Sequence, residues 1–327
     1  MRVLISGGAG FIGFHLARRL LSEHCDVSLV DNFNNFYDPD IKRRNVRDLR
    51  SIGSAGLYET DILDRERLRQ AFVEFRPETI VHLAAWAGVR PSLEKPDLYA
   101  RVNVTGTVNM LDFAKEFKVE RFVFASSSSV YGGNERVPFS EDDPVDFPIS
   151  PYAATKRAGE LLCYTYSHNF GMNITCLRLF TVYGPRQRPE MAIHKFAQCI
   201  WDGNPIPVYG DGQSKRDYTY VDDIVSGIAR AIRVNPRYAI LNLGESRTVT
   251  LVDLIGHLER ELGRQAQLQF LPEQPGDMKI TYADISLARR VLAYDPQTPI
   301  ELGIRKFAAW YKEQRHAELD ARGTLPS

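Results

Sequence analysis

A glycine-rich turn between a strand and a helix constrains this chain more than any other feature. The apolar run Arg2–Ser6 leads into Gly7-Gly-Ala-Gly10-Phe-Ile-Gly13, and a helical apolar pattern follows over residues 11–23. Glycines at these positions permit a tight turn, close approach of the backbone to a pyrophosphate and close helix–strand packing. The helix N-terminus adds free N–H groups and a positive dipole end. The pattern therefore predicts a dinucleotide site.

An acidic residue at the end of the second predicted strand supports this interpretation. Asp31 follows the apolar run Asp26–Val30. A carboxylate at that place accepts hydrogen bonds from the adenosine ribose hydroxyls and repels a ribose phosphate, which favours NAD over NADP. The alternative is a purely structural loop with a helix-capping aspartate.

Strands and helices alternate through the first half of the chain. Further apolar runs at 80–83, 121–125 and 174–179 are separated by helical patterns near 66–75, 104–117 and 152–170. Continuous apolar strands indicate burial on both faces and hence a parallel sheet covered by helices. We expect an α/β fold with a Rossmann-type doubly wound sheet.

The second half is less regular and predicts a smaller α/β substrate-binding lobe. Gly- and Pro-rich turns separate helical patterns near 192–201, 221–232, 251–262 and 286–292. We expect a cofactor domain over 1–180, with a returning segment around 213–245 that includes a strand at 240–243. The lobe over 181–327 then mainly binds substrate.

Charge and composition exclude several classes of protein. The 41 Lys and Arg residues balance 41 Asp and Glu residues, so there is no basic excess for binding nucleic acid. A hydrophobic content of 44% argues against a disordered chain, and no apolar run is long enough to span a membrane. Four cysteines without a CxxC pair and no visible signal peptide suggest a cytoplasmic protein. Seven histidines without ligand spacing predict no metal site.

A tyrosine, a lysine and a serine run suggest acid–base chemistry. Tyr152 and Lys156 lie one helical turn apart at the start of a long helical pattern. A cation beside a phenol favours the phenolate. The run Ser126-Ser-Ser-Ser129 follows the strand at 121–125, at the sheet edge where ligands bind. The alternatives are a core tyrosine with a solvated lysine, and serines that only cap a turn.

Together these motifs resemble the extended short-chain dehydrogenase/reductase family of nucleotide-sugar epimerases and dehydratases. The likeness covers nearly the whole chain and extends to the segments 82–85, 216–223 and 275–277. Within that family the chain most resembles the UDP-glucuronate 4-epimerases, through the segments 84–90, 126–132 and 180–191. Those enzymes usually carry Gln where Trp86 stands, and differ at Arg186-Gln187.

The resemblance implies a tightly held NAD and a UDP-glucuronate substrate that passes through a transient 4-keto sugar. It implies a catalytic group of Tyr152, Lys156 and one serine, Ser127 first, with Ser128 and Ser129 as rivals. The residues expected to hold NAD, besides Tyr152 and Lys156, are Gly7, Gly10, Phe11, Ile12, Gly13, Asp31, Asn32, Asp61, Ile62, Leu83, Ala84, Ala85 and Asn103. Asn103 could instead serve a helix start.

The residues expected to hold the sugar nucleotide, besides Ser127, are Arg90, Thr181, Arg186, Arg188, Arg216 and Asp277. Arg188 with Thr181 is the expected clamp for the sugar carboxylate, and Arg186 is the alternative anchor, because an arginine fork matches a carboxylate bidentately. By resemblance, Arg216 would hold the diphosphate and Asp277 the uridine ribose.

Other reactions of the same fold remain open at this point. A dehydratase needs an acidic pair and a UDP-glucuronate decarboxylase a glutamate near residue 129, where this chain has only serines. The sequence is also compatible with a UDP-glucose/galactose 4-epimerase, an oxidoreductase that releases NADH, or a non-catalytic NAD-binding regulator. The resemblance also implies a homodimer formed by the helices near 104–117 and 152–170.

Overall fold

The core of the protein is a parallel sheet. The computed structural model describes residues 1–272 and 279–321, and within them seven parallel strands form one sheet. In the order β11-β6-β5-β4-β1-β2-β3, it comprises β1 (Arg2–Ser6), β2 (Asp26–Asp31), β3 (Ala55–Glu59), β4 (Thr79–His82), β5 (Arg121–Ser127), β6 (Ile174–Leu179) and β11 (Tyr238–Leu243). The predicted α/β doubly wound sheet is confirmed.

Helices cover both faces of this sheet. They are α1 (Phe11–Ser22), α2 (Pro39–Ile52), α3 (Arg65–Phe75), α4 (Val89–Glu94), α5 (Pro96–Tyr99), a π-helical segment (Ala100–Thr105), α6 (Gly106–Glu116), α7 (Pro151–Phe170) and α9 (Val221–Val234). Alternate residues of β1 enter opposite cores. Val3 and Ile5 pack in the cluster that contains Phe14 of α1, while Leu4 packs in the cluster that contains Phe72 of α3. Burial on both faces explains the continuous apolar strands.

The strand order reverses at β1, which pairs with β2 on one side and β4 on the other. Loops after neighbouring strands leave in opposite directions at such a point, and a crevice opens at the carboxyl ends of the strands. Most of the NAD-binding and catalytic residues predicted from the sequence lie there.

Among the residues that the structure describes, the remaining elements form three small two-stranded sheets and their helices. The sheets pair β7 (Thr181–Tyr183) with β10 (Tyr218–Tyr220), β8 (Pro205–Tyr209) with β13 (Gln267–Leu271), and β9 (Lys215–Arg216) with β12 (Val249–Thr250). The helices are α8 (Ala192–Asp202), α10 (Leu251–Leu262), α11 (Ser286–Leu292) and α12 (Ile300–Ala321). The chain returns to the main sheet at β11, which pairs with β6. The boundary between two lobes near residue 180 stays a prediction. In the part of the chain described, no helix is both long and apolar enough to cross a membrane.

Candidate active site

A cavity of about 380 Å³ opens at the carboxyl ends of the central strands. One side, here called the sheet wall, consists of residues at or after the carboxyl ends of β1 to β4: Gly7, Gly10 to Gly13, Asp31, Asn32, Asn34, Phe36, Tyr37, Thr60 to Ile62, and Leu83 to Val89. The other side, here called the loop wall, consists of Thr181, Val182, Arg188 and Met191. Ser126 to Ser129, Tyr152 and Lys156 line the cavity between the two walls.

The glycine turn of the sheet wall leaves no room for side chains. Gly7 has a φ of +69°, and a Cβ there would lie 2.8 Å from the backbone nitrogen of Ala84. A Cβ on Gly13 would lie 2.5 Å from the carbonyl oxygen of Gly7, so α1 could not pack this close. The turn is thus an open backbone cradle at a helix N-terminus, which suits the diphosphate of a dinucleotide.

Asp31 is buried beside this turn and has three hydrogen-bond donors. The backbone N–H of Phe33 and Nζ of Lys42 each donate to Oδ1 at 3.0 Å, and the N–H of Ala9 donates to Oδ2 at 3.3 Å. Sequence reasoning missed Lys42, which lies on α2 and also lines the cavity. Two features of the sequence pointed to such a lysine: a buried carboxylate requires a charged partner, and the residues of α2 form an amphipathic pattern.

The predicted NAD residues around Asp31 also line the cavity. Asn32 donates from Nδ2 to Oδ2 of Asp61 at 2.6 Å, and Oδ1 of Asp61 accepts the N–H of Leu63 at 2.8 Å. These bonds join the ends of β2 and β3 into one polar rim. The sheet wall therefore fits NAD on its own geometry, with a backbone cradle for phosphates and fixed carboxylates for hydroxyl groups.

Tyr152 stands in the first turn of α7. That helix begins at Pro151, and the hydroxyl of the preceding Ser150 accepts the N–H of Ala153 at 3.1 Å. Burial raises the pKa of Tyr152, while a hydrogen bond with the Ser127 hydroxyl and the charge of Arg188 both lower it. Ser127 itself is buried at the end of β5. The arrangement gives a phenol whose ionisation is controlled by its neighbours from β5 and the loop wall.

Lys156 lines the cavity and is itself buried. Its Nζ donates to the carbonyl oxygen of Ala125 at 2.8 Å and lies 6.0 Å from the centre of the Tyr152 ring. Burial lowers its pKa to about 8, while Cys163 and Glu160 act to raise it. In this structure Ser127 and Arg188 favour the Tyr152 phenolate, and the contribution of Lys156 stays a prediction.

A buried ionic network contacts the serine run at Ser126. Sequence reasoning missed this network. Glu160 accepts two hydrogen bonds from Arg178, at 2.9 and 3.0 Å, and one from the hydroxyl of Ser126 at 2.6 Å. Arg178 also donates to the hydroxyl of Tyr131 at 3.1 Å. Both charged groups are almost fully buried. Because Ser126 immediately precedes Ser127, the network fixes the end of β5 relative to α7.

Asn103 does not line the cavity, contrary to its predicted role in binding NAD. Its Oδ1 accepts the N–H of Trp86 at 2.8 Å, and its Nδ2 donates to the carbonyl of Trp86 at 3.0 Å. Nδ2 also donates to the hydroxyl of Thr155 on α7 at 3.0 Å. Asn103 is therefore a buried clamp that holds the loop after β4 against α7.

His82 is a core residue, as its place after a strand predicted. Its Nδ1 contacts the Ser6 hydroxyl at 2.6 Å and its Nε2 contacts the Thr107 hydroxyl at 3.1 Å. Thr107 donates its own proton to the carbonyl of Asn103, so Nε2 must carry the imidazole proton. Burial and the nearby charge of Lys156 lower the pKa of His82 to about 3, which keeps it neutral.

Of the predicted sugar-binding residues, Thr181, Arg188 and Ser127 line the cavity and three arginines do not. Arg186, the alternative anchor expected for the sugar carboxylate, is one of these three. It pairs with Asp48 at 2.5 Å and Asn45 at 2.7 Å on α2, and its guanidinium lies over the ring of Phe14. These partners turn it to the outer side of the loop.

Two further predicted sugar-binding arginines also lie outside the cavity. Arg90 is exposed on α4, 5.3 Å from the ring centre of Tyr209. Arg216 lies on β9 and donates to the carbonyl of Lys215 at 3.0 Å. Asp277 falls outside the described residues, so its predicted contact with the uridine ribose stays a prediction.

Comparisons with known proteins agree with this geometry. Residues 3–244 match the family described as NAD dependent epimerase/dehydratase. A UDP-glucuronate 4-epimerase of Thermodesulfobacterium geofontis is 42% identical over 311 residues, which cover 95% of this chain and 96% of that protein. UDP-glucuronate 4-epimerase 1 of Arabidopsis thaliana is 42% identical over 329 residues, covering 94% of this chain and 76% of that protein.

Solved structures show the same likeness. UDP-glucuronic acid 4-epimerase from Bacillus cereus, crystallised with UDP-glucuronic acid and NAD, matches with a TM-score of 0.89 and 36% identity, over 96% of this chain and 100% of that one. A UDP-glucose 4-epimerase from Thermotoga maritima with UDP-glucose matches with a TM-score of 0.88 and 30% identity, over 96% and 100% of the two chains. The chain belongs to the NAD dependent epimerase/dehydratase family.

Proposed function

We propose that this protein is an isomerase that converts UDP-glucuronate to UDP-galacturonate by NAD-dependent inversion at C4. The observation that carries the proposal is the meeting of Ser127, Tyr152 and Arg188 in one cavity beside an NAD-type glycine cradle. The similarity to UDP-glucuronate 4-epimerases over nearly the whole chain supports it.

The chain's own part in the reaction is to move one proton and hold the sugar. Bound NAD supplies the reversible hydride chemistry at C4. Tyr152, as phenolate, takes the proton of the 4-hydroxyl and gives it back after the 4-keto sugar has turned over. Ser127 lines the cavity together with Tyr152, where its hydroxyl would also contact the 4-oxygen. Lys156, buried one turn along α7, would supply positive charge beside the cofactor.

Arg188 is the residue we assign to the sugar carboxylate. It lies in the loop wall, pairs through Nε with Glu190 at 3.1 Å and keeps its guanidinium over the ring of Phe36. A 4-keto uronate is a β-keto acid that loses CO₂ readily. We propose that Arg188, with Thr181 beside it, holds the carboxylate in an orientation that disfavours C–C cleavage.

We further propose that the enzyme works as a homodimer in the cytoplasm. Leu161 and Tyr164 of α7 are each about half exposed, at 52% and 51%, and so form an apolar face suited to a second copy. All four cysteines are free thiols, in agreement with a reducing compartment. Sedimentation equilibrium of the wild-type protein and of Leu161→Glu tests the dimer, because the charge should produce monomers.

Product analysis tests the reaction directly. The purified protein is incubated with UDP-glucuronate and the sugar nucleotides are separated and identified by proton NMR. We expect UDP-galacturonate, no UDP-pentose and no lasting rise in absorbance at the wavelength of NADH. A UDP-pentose product would identify a decarboxylase, and stoichiometric accumulation of NADH would identify a net oxidoreductase. Conversion of UDP-glucose but not of UDP-glucuronate would move the assignment to a UDP-glucose 4-epimerase.

A further inference from the structure

Two aromatic side chains meet in the cavity that the glycine turn also lines. Phe36 belongs to the loop after β2 and Trp86 to the loop after β4, and both line the cavity. Their ring centres are 5.2 Å apart with an interplanar angle of 81°, an edge-to-face contact. Because β2 and β4 flank β1, this contact bridges the crevice into which the glycine turn after β1 opens.

The Trp86 side of this contact is held rigidly. Both backbone polar groups of Trp86 are bonded to the side chain of Asn103, which is itself bonded to Thr155 on α7. The Trp86 ring also meets the ring of Tyr99 at 6.2 Å, and the Tyr99 hydroxyl donates to the carbonyl of Ala87 at 2.6 Å. The position of the indole is thus fixed by the same helix that carries Tyr152.

The loop that carries Phe36 is held mainly by hydrogen bonds within itself, unlike the loop that carries Trp86. Its backbone N–H donates to Oδ1 of Asn34 at 3.1 Å, and the N–H of Asn34 donates to Oδ1 of Asn32 at 3.1 Å, so consecutive Asx turns shape the loop. The guanidinium of Arg188 lies 5.4 Å from the centre of the Phe36 ring. Phe36 therefore contacts a fixed aromatic residue in its own wall and the charged residue of the opposite wall.

We propose that Trp86 is a cofactor-retention residue: with Phe36 it closes the cavity over the diphosphate part of bound NAD, and the contact must part before NAD can leave. A dinucleotide seated on the glycine turn lies under the bridge, and the loop after β2 is the side that moves. Retention of the cofactor matters for an enzyme that removes a hydride and returns it within one turnover. If the cofactor dissociated between the two steps, the sugar would remain oxidised at C4. The inference rests on NAD binding and not on the identity of the sugar.

Exchange of bound NAD tests the proposal without any sugar present. Holoenzyme as purified is mixed with excess radiolabelled NAD, and the protein-bound label is followed by rapid gel filtration. We expect Trp86→Ala to exchange NAD about 10-fold faster than wild type, and Trp86→Phe to stay within about 2-fold, since a phenyl ring can still meet Phe36. Exchange by Trp86→Ala at the wild-type rate would overturn the proposal.

A second variant separates the bridge from a general loss of packing. Phe36→Ala removes the other half of the contact from a different loop, and we expect the same acceleration. The double variant Trp86→Ala, Phe36→Ala should exchange no faster than either single variant, because both remove one interaction. Independent, multiplicative effects would contradict a shared bridge. If Trp86→Ala does not fold, Phe36→Ala alone decides: wild-type exchange by this variant overturns the proposal.

Discussion

The two walls of the cavity are built from different kinds of structure. The sheet wall follows the ends of neighbouring strands, and much of it is backbone that the parallel sheet holds in place, as at Gly7 and Ala84. The loop wall follows β6 and presents side chains whose direction depends on local partners. Arg188 enters the cavity while Arg186, two positions earlier, pairs with Asp48 outside it. A motif thus predicts a backbone site better than it predicts a side-chain site.

Tyr152 lies where the walls meet, and its loss should have the largest effect on turnover. Tyr152→Phe removes the proton acceptor and leaves the ring, so we expect kcat to fall about 10³-fold, within the range for general acid–base groups. NAD binding should persist, because the sheet wall is untouched. Steady-state kinetics with UDP-glucuronate measures the loss. Tyr164→Phe, on the exposed part of the same helix, is the control and should keep wild-type kcat; a comparable loss there would refute the assignment.

Gly13→Ala should break the sheet wall. The added methyl would lie 2.5 Å from the Gly7 carbonyl oxygen and 2.7 Å from the Gly8 Cα, both backbone atoms that cannot step aside. We expect a loss of about 3 kcal/mol in the free energy of unfolding, with NAD lost from the purified protein. Urea unfolding and the cofactor content of the protein measure both effects.

The matched control for this substitution is Gly256→Ala in α10, where an added methyl meets nothing within 4 Å. Alanine favours a helix over glycine, so stability should stay equal or rise by up to about 1 kcal/mol. If both variants lose equal stability, the close approach at Gly13 does not explain the glycine there.

Substitutions of Arg188 and Arg186, two arginines of the loop after β6, test the loop wall. Arg188→Ala removes the charge facing the sugar carboxylate, and we expect kcat/KM for UDP-glucuronate to fall about 30-fold, as for a lost hydrogen bond to a charged group. Arg186→Ala should stay within about 3-fold. Kinetics with both variants, with separation of the sugar nucleotides, also shows whether Arg188→Ala releases a UDP-pentose. Equal losses in the two variants, or a larger loss from Arg186→Ala, would reverse the assignment.

The smallest expected change concerns pH. The Ser127 hydroxyl lowers the pKa of Tyr152, so its removal in Ser127→Ala should raise that pKa. Since the phenolate is the reactive form, the rising limb of kcat against pH should move upward by about 0.7 pH unit, from a hydrogen bond of about 1 kcal/mol. Ser128→Ala and Ser129→Ala serve as controls. A shift in either of them, with none in Ser127→Ala, would assign the contact to another serine.

The continuous apolar strands of the sheet could be predicted, whereas α2 and β3, which are polar or partly exposed, could not. The predicted cofactor half matches the strands β1, β2, β4, β5 and β6, because their apolar runs are continuous. α2 was missed since its sequence is largely charged, although Asp38 caps it and Pro39 begins it. β3 was missed because Gly56, Leu57 and Tyr58 leave it only partly buried at the sheet edge.

The site shows the same division. Turn glycines and strand-end residues follow from motifs because chain position alone places them. Asn103 and Arg90 carry a recognisable residue type, but partners distant in the sequence decide where each side chain goes. Glu160 and Arg178 belong to no motif recognised in the sequence, and only the fold brings the carboxylate of Glu160 to Ser126 at 2.6 Å. Such buried pairs cannot be inferred without knowing which strand and helix are neighbours.

One isotope measurement tests the central claim most directly. UDP-glucuronate that carries deuterium at C4 is incubated with the enzyme in ordinary water, and the product is examined by NMR and mass spectrometry. Since the C4 hydrogen would leave and return as a hydride, which does not exchange with water, the account predicts UDP-galacturonate with deuterium still at C4. Product in which C4 carries hydrogen from water, or recovery of UDP-glucuronate alone, would contradict the account.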